Sequence, residues 1–174
     1  MGSSSMMQVL FTFFIISLLF LLKIGICLLP ANENETLFSH LYQEQAYLLM
    51  QIPQLIQTYL RGLEEGDASG IISLFSSDGV VHSPLYGQQA AGDFYHKLFQ
   101  DTRQSAITLL HIFQETQQAD VAAAHFRYDW LMKDGTPCSF ECVDVFYLDP
   151  EGKIREMHII YDTQATRTAF AKLQ

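Results

Sequence analysis

Two short stretches of the sequence carry the side chains best suited to chemistry. In "SDGVVHSPLYG", residues 77–87, a turn leads into an apolar strand that ends on His82-Ser83-Pro84. Proline has no N–H to give to a sheet, so pairing stops there and the strand end can present a side chain at a pocket mouth. His82 has the ordinary chemistry of a general acid or base near neutral pH. Ser83 can hold a ligand by a hydrogen bond, but its hydroxyl is too weak a base to take a proton from carbon unaided. Alternation along a strand puts the two on opposite faces. His82 therefore reaches a pocket on the Ser83 side only if the Ser83-Pro84 segment turns locally. In "CVDVFYLD", residues 142–149, Cys142, Asp144 and Phe146 share one strand face. A lone carboxylate on such a face is costly to bury as a charge, so Asp144 must be hydrogen-bonded, protonated or set in a wet cavity. Cys142 beside it reads as a small buried hydrophobe, because no neighbouring base or cation is identifiable that would make it a thiolate.

The other titratable residues offer less. Six histidines are scattered without an HExxH or paired arrangement, and His111, His125 and His158 read as sheet-face residues. Of the three cysteines, Cys27 lies in an apolar N-terminal run, and no Cys/His spacing resembles a zinc site. Cys138 and Cys142, four apart in one strand, stand roughly 13 Å from each other, too far for a disulfide. No metal and no cofactor is expected. The composition, 49 % hydrophobic and 17 % charged over 174 residues, is that of a folded domain rather than a disordered chain. The net charge of −9, with every acidic residue after position 30, argues against nucleic acid as a partner.

The elements that must position these residues follow a long apolar run. Residues 9–29, "VLFTFFIISLLFLLKIGICLL", are interrupted by one charge, Lys23. As a helix the run spans about 31 Å, enough to cross a bilayer. It reads as a membrane-targeting segment, either an uncleaved anchor through residues 9–29 or a cleaved signal, and the protein as membrane-anchored or secreted. No basic residue precedes the run beyond the terminal amine, and "GICLLP" is a poor cleavage match. A true start near Met50 would instead leave a cytoplasmic domain. Asn34-Glu35-Thr36 is a glycosylation sequon that matters only in a eukaryotic secretory pathway. The organisation expected is a hydrophobic segment at 1–30, a linker at 31–44 and one domain at 45–174.

Within the domain, Leu48, Ile52, Leu55, Ile56, Tyr59, Leu60 and Leu63 fall at three- and four-residue spacings and predict a helix that Gly66 ends. Asp67 caps a short second helix, "ASGIISLFS", and "AGDFYHKLFQDT" is a third, with Phe94, Tyr95, Leu98 and Phe99 at helical spacing. Thereafter the period becomes two. "SAITLLHIFQE", "DVAAAHFRYDWLMKDG", "TPCSFECVDVFYLD" and "GKIREMHIIYDT" are four strands, with hairpin chemistry at "KDGT" and "DPEGK". Phe126, Tyr128 and Trp130 share a face opposite His125, Arg127 and Asp129; Met157, Ile159 and Tyr161 oppose His158 and Asp162. The aromatic face is the expected interior. Helices followed by antiparallel strands predict an α+β domain with the helices on one face of a curved sheet.

That order resembles the NTF2-like superfamily, in particular its SnoaL-like and ketosteroid-isomerase-like branch. "YLRGLEEGDASGIISLFSSDGVVHSPLYG" is similar to the opening of those domains and "CVDVFYLDPEGKIREMHIIYD" to their closing hairpin; together they cover about residues 50–163. The resemblance implies a cone, a strongly bent antiparallel sheet packed against about three N-terminal helices around an apolar pocket, often in a homodimer. In the isomerase a Tyr and a protonated Asp form the oxyanion hole while a second Asp shuttles the proton. The motifs place the Tyr on Tyr59, the protonated Asp on Asp144, and the proton-shuttling Asp on Ser83. Serine at that position disfavours steroid isomerisation by this mechanism.

Two readings follow. In the first, a SnoaL-like domain binds a small hydrophobic ligand without catalysis, its pocket lined by Ser83, Phe126, Tyr128, Trp130, Cys142, Met157 and Tyr161. The missing base favours this one. In the second, an isomerase, cyclase or dehydratase acts on a small carbonyl compound, with Tyr59 and Asp144 as hydrogen-bond donors and His82 as the available base.

Overall fold

The computed structural model describes residues 51–116 and 120–172. The segment at 9–29, the linker and the Asn34 sequon lie outside the described residues. Among the described residues no helix is long and apolar enough to cross a membrane. The chain divides between Glu44 and Gln45, and every described residue belongs to the second unit, Gln45–Gln174.

Helix α1, residues 51–65, buries Ile52, Ile56, Tyr59, Leu60 and Leu63, the stripe set by three- and four-residue spacing. Gly66, at φ +71°, takes the left-handed turn that stops it. Helix α2 (Ala68–Ile72) is capped by Asp67, whose carboxylate accepts the Gly70 N–H at 2.9 Å. The two helices meet at Gly62, where a Cβ would lie 2.6 Å from Ile71 Cγ1. Helix α3 (Ala91–Gln100) buries Ala91, Phe94, Tyr95 and Leu98.

Six strands form one sheet in the order β2-β1-β6-β5-β4-β3: β1 (Phe75–Ser83), β2 (Gly87–Ala90), β3 (Thr102–Gln114), β4 (Val121–Met132), β5 (Pro137–Leu148) and β6 (Ile154–Ile160). On β4 every even residue from Ala122 to Met132 is buried, and on β5 Cys142, Asp144, Phe146 and Leu148 are buried, so the aromatic face points inward as expected. Both expected hairpins are present. Asp134-Gly135 turns β4 into β5, and Asp149 to Gly152 turns β5 into β6, with Gly135 and Gly152 at positive φ. Register shifts in β3 and along β1 bend the sheet. The fold is α+β, a curved, unclosed sheet packed against helices.

Three features depart from the expected antiparallel plan. β1 runs parallel to β6, pairing His82 with His158. Period-two patterning says which face a residue takes but not which way its neighbour runs, so this pairing has no signature in the sequence. β2 has four residues, too few to show alternation. A C-terminal helix, α4 (Gln164–Phe170), turns Thr166, Ala169 and Phe170 inward to meet Tyr86, whose ring is 4.8 Å from that of Phe170.

Candidate functional site

The inner face of β4 and β5, the underside of α1 and the end of β1 enclose a cavity of about 50 Å³. Its floor is Tyr59, Phe126, Cys142 and Asp144, all buried; Ser83, Leu85, Tyr86, Phe140, Ile159 and Tyr161 are half-buried around it. One wall is a stack of rings: Phe140 lies 4.2 Å from Tyr161 and 5.5 Å from Tyr128, nearly parallel to both.

Asp144 is the polar centre of the floor, 1 % exposed. Tyr59, on the buried face of α1, donates its hydroxyl to Asp144 Oδ2 at 2.6 Å. Cys142, two residues earlier on the same strand face, donates its thiol to Oδ1 at 3.1 Å. Burial pushes the Asp144 carboxyl up to about 6, against the opposing pull of the Tyr59 and Cys142 hydrogen bonds. Burial and the neighbouring carboxylate push the Tyr59 hydroxyl and the Cys142 thiol well above their ordinary values. Cys142 is thus a hydrogen-bond donor and not a thiolate nucleophile. An ionised carboxylate accepts about four hydrogen bonds, so Asp144 with two donors keeps lone pairs for a ligand.

The surrounding hydroxyls are spoken for. Tyr128 and Ser105 are hydrogen-bonded through their hydroxyls at 2.8 Å, and burial raises the Tyr128 pKa to about 12. Trp130 Nε1 donates to Thr102 at 2.9 Å, and Tyr86 donates to Asp101 at 2.9 Å. Ser83 Oγ accepts the N–H groups of Leu85 and Tyr86, at 3.3 and 3.2 Å, and so pins the turn after β1 while its side chain lines the cavity.

Of the residues singled out in the sequence, Tyr59, Ser83, Phe126, Tyr128, Trp130, Cys142, Asp144 and Tyr161 come together on this cavity. Two do not. Met157 is fully buried, but Tyr95 from α3 covers it, with the Tyr95 hydroxyl 3.8 Å from its sulfur. His82 is no cavity base: β1 stays extended through Ser83, so His82 keeps to the opposite face of the sheet. Leu63, Leu85, Tyr86, Phe94, Leu98, Phe140 and Ile159 also line the cavity. The apolar periodicity of α1 and α3 marks Leu63, Phe94 and Leu98 as inward, but nothing local separates a cavity wall from a filled core.

On the outer face, His82 Nε2 and His158 Nε2 approach the same atom, Glu156 Oε1, at 2.9 and 2.8 Å. The two imidazoles are stacked, 4.2 Å between centroids. The His158 hydrogen bond is the largest influence holding the Glu156 carboxyl below its ordinary value. Among the described residues, this is the group of His, Cys, Asp and Glu side chains close enough to share a metal ion.

The sequence model of one protein family, the SnoaL-like domain, matches residues 56–157. No curated protein matches the chain. Among solved structures, the epoxide hydrolase/cyclase-like enzyme SalBIII, described in pyran ring formation in the polyether salinomycin, is 22 % identical over 65 % of this chain and 92 % of its own, with a TM-score of 0.55. TerC, co-crystallised with polyporic acid, is 17 % identical over 66 % of this chain and 94 % of its own, with a TM-score of 0.56. An NTF2-like protein of unknown function from Exiguobacterium sp. 255-15 is 17 % identical over 62 % and 98 %, with a TM-score of 0.54. At these identities the likeness is one of fold, and it is the same cone of helices on a bent sheet. With a family model spanning residues 56–157 and an NTF2-like fold around it, the chain belongs to the SnoaL-like domain family.

Proposed function

We propose that the cavity binds a small, largely apolar compound bearing one carbonyl or hydroxyl group, and that Asp144 exchanges a proton with it. One observation carries this reading. The Asp144 carboxyl, pushed up to about 6 by burial, sits on the floor of an otherwise largely apolar cavity, with lone pairs to spare. A general base works best when its pKa lies near the operating pH. On this reading Asp144, on β5, acts as the base that Ser83, on β1, cannot be. Tyr59 donates its hydroxyl hydrogen bond to Asp144 and keeps its proton, and above its pKa Asp144 has no proton to donate, so the pair acts as a tuned acceptor rather than two free oxyanion donors. The chemistry that fits is abstraction of a proton beside a carbonyl. The carboxylate takes the proton, the C–H electrons become the enolate, and return of the proton to oxygen, or to the far end of a conjugated enolate, completes an isomerisation. SalBIII, an epoxide hydrolase/cyclase-like enzyme, is an example of catalysis carried on this fold, and the likeness to it is one of fold alone.

The test has two readings. Small cyclic ketones in D₂O should gain deuterium beside the carbonyl faster with the protein than without it, and Asp144→Asn should remove the acceleration. A small phenol should bind the wild type more tightly than Asp144→Asn or Tyr59→Phe. Equal exchange and equal affinity across the three proteins would overturn the proposal. Selective phenol binding without exchange would favour the second reading, a non-catalytic binding domain. That alternative draws on the cavity's small size and on the fact that both oxygens of Asp144 already have protein donors.

A further inference from the structure

We infer that His82, Glu156 and His158 form a binding site for one divalent cation of the zinc class on the outer face of the sheet. The three positions are the nearest same-face neighbours that a pair of strands offers. Glu156 and His158 are two apart on β6, and His82 on β1 is the register partner of His158. All three side chains therefore leave the sheet in one direction, and their ligand atoms lie within 4.8 Å of one another. Two imidazole nitrogens and one carboxylate oxygen suit a borderline cation such as Zn²⁺ far better than Ca²⁺ or Mg²⁺, which prefer all-oxygen sets. Three protein ligands plus water in the fourth position is the open tetrahedral arrangement common for zinc.

Opening the set around a cation takes a small change in distance and a rotation of both rings. Bonds of about 2.0–2.1 Å at tetrahedral angles separate ligand atoms by about 3.4 Å. The two Nε2–Oε1 distances are 2.9 and 2.8 Å, so the set opens by about half an ångström around a cation. The imidazole planes are 16° apart, and the in-plane lone pairs of two stacked rings run side by side. Metal binding therefore tilts the Nε2 edges of the two rings towards a common point and splays their far edges, a rotation about side-chain torsions. The Tyr147 ring, edge-on to His158 at 5.6 Å, borders the site on β5. The side chains of His82, Glu156 and His158 are 30 %, 35 % and 40 % exposed, enough for a cation to enter and a water to complete the shell. No local motif announces the site, because its ligands come from two strands that are neighbours in the sheet but first and last in chain order.

The site is separate from the cavity. Ser83 turns into the cavity and His82, the residue before it, turns away, so a cation bound by His82 lies across the sheet from Asp144. Its mechanical effect is to tie β1 to β6, the parallel pair on which the bent sheet depends.

Titration of the full chain with Zn²⁺ by calorimetry should show one saturable equivalent, and Co²⁺ should give the visible absorption of a four-coordinate site. His158→Gln and Glu156→Gln should each weaken binding by more than the roughly 10–100-fold that loss of an outer-shell partner costs. His125→Gln, in the separate contact of His125 with His111 and Glu141, should leave it unchanged. In the wild type, the ring ¹⁵N signals of His82 and His158 should move on Zn²⁺ addition, a readout that needs no variant to fold. Absence of saturable binding, retention of binding by both variants, or movement confined to His111 and His125 would overturn the site.

Discussion

Asp144 sets the balance of the site because the residue is asked to be both buried and ionised. Its folded-state pKa of about 6 lies above its ordinary value of 3.8, so between those values the native state holds more proton than the unfolded chain. Stability therefore falls as pH rises from about 4 to about 6 and changes no further from this group above that. Two pKa units correspond to about 3 kcal/mol, an order-of-magnitude figure. Asp144→Asn keeps an acceptor for Tyr59 and carries no charge to desolvate. Denaturant unfolding should find the Asp144→Asn variant more stable than wild type at pH 7.5 by about 1–3 kcal/mol, with the slope between pH 4 and 6 flattened. An unchanged slope would mean that Asp144 does not titrate in that window. Asp144 was legible in the sequence, since a carboxylate on a face of Phe and Cys demands a reason. Tyr59 was not legible on physical grounds. Its ring belongs to the apolar stripe of α1, and its hydroxyl's partner lies 85 residues away, so only the resemblance to the isomerase picked it out.

At the scale of elements, α1 must lie close to the sheet for that hydroxyl to reach β5, and Gly62 governs how closely α2 tucks beside α1. A side chain at 62 begins with a Cβ 2.6 Å from Ile71 Cγ1, so a β-branched residue has nowhere to place its methyl groups. Gly62→Val should lower stability by about 1–3 kcal/mol through overpacking, despite the poor helix propensity of glycine. Chemical denaturation would show this as a lower midpoint at unchanged slope. A gain in stability would mean that the helices part easily and that the close approach is incidental. Elements with a strong period were readable in the same way. α1, α3, β4, β5 and both hairpins follow from apolar spacing and turn glycines. The parallel β1–β6 pair, the four-residue β2 and α4 were not, because their existence rests on partners far away in the chain. The His82–Glu156–His158 cluster was hidden with them: it exists only where β1 and β6 are neighbours.

For the whole molecule, charge decides what can enter the cavity. The chain carries a net charge of −9, and above pH 6 the cavity floor carries an ionised carboxylate with no cation lining the walls. Long-range repulsion and the local field then act in the same sense against anions, and the former is screened by salt within about 8 Å at physiological ionic strength while the latter is largely not. A phenol and the benzoate of the same size make a clean comparison. At pH 7.5 the neutral phenol, at a hundred times its dissociation constant, should stabilise the domain by about 2.7 kcal/mol, read as a higher melting temperature. The benzoate should give no stabilisation at the same concentration. Half-molar salt should not rescue it, because the Asp144 carboxylate stands beside the ligand and not a screening length away. Lowering the pH to 5, where Asp144 is mostly protonated, should narrow the gap between the two ligands, and Asp144→Asn should narrow it at pH 7.5 as well. Equal stabilisation by phenol and benzoate at pH 7.5 would place both ligands somewhere other than the floor of this cavity.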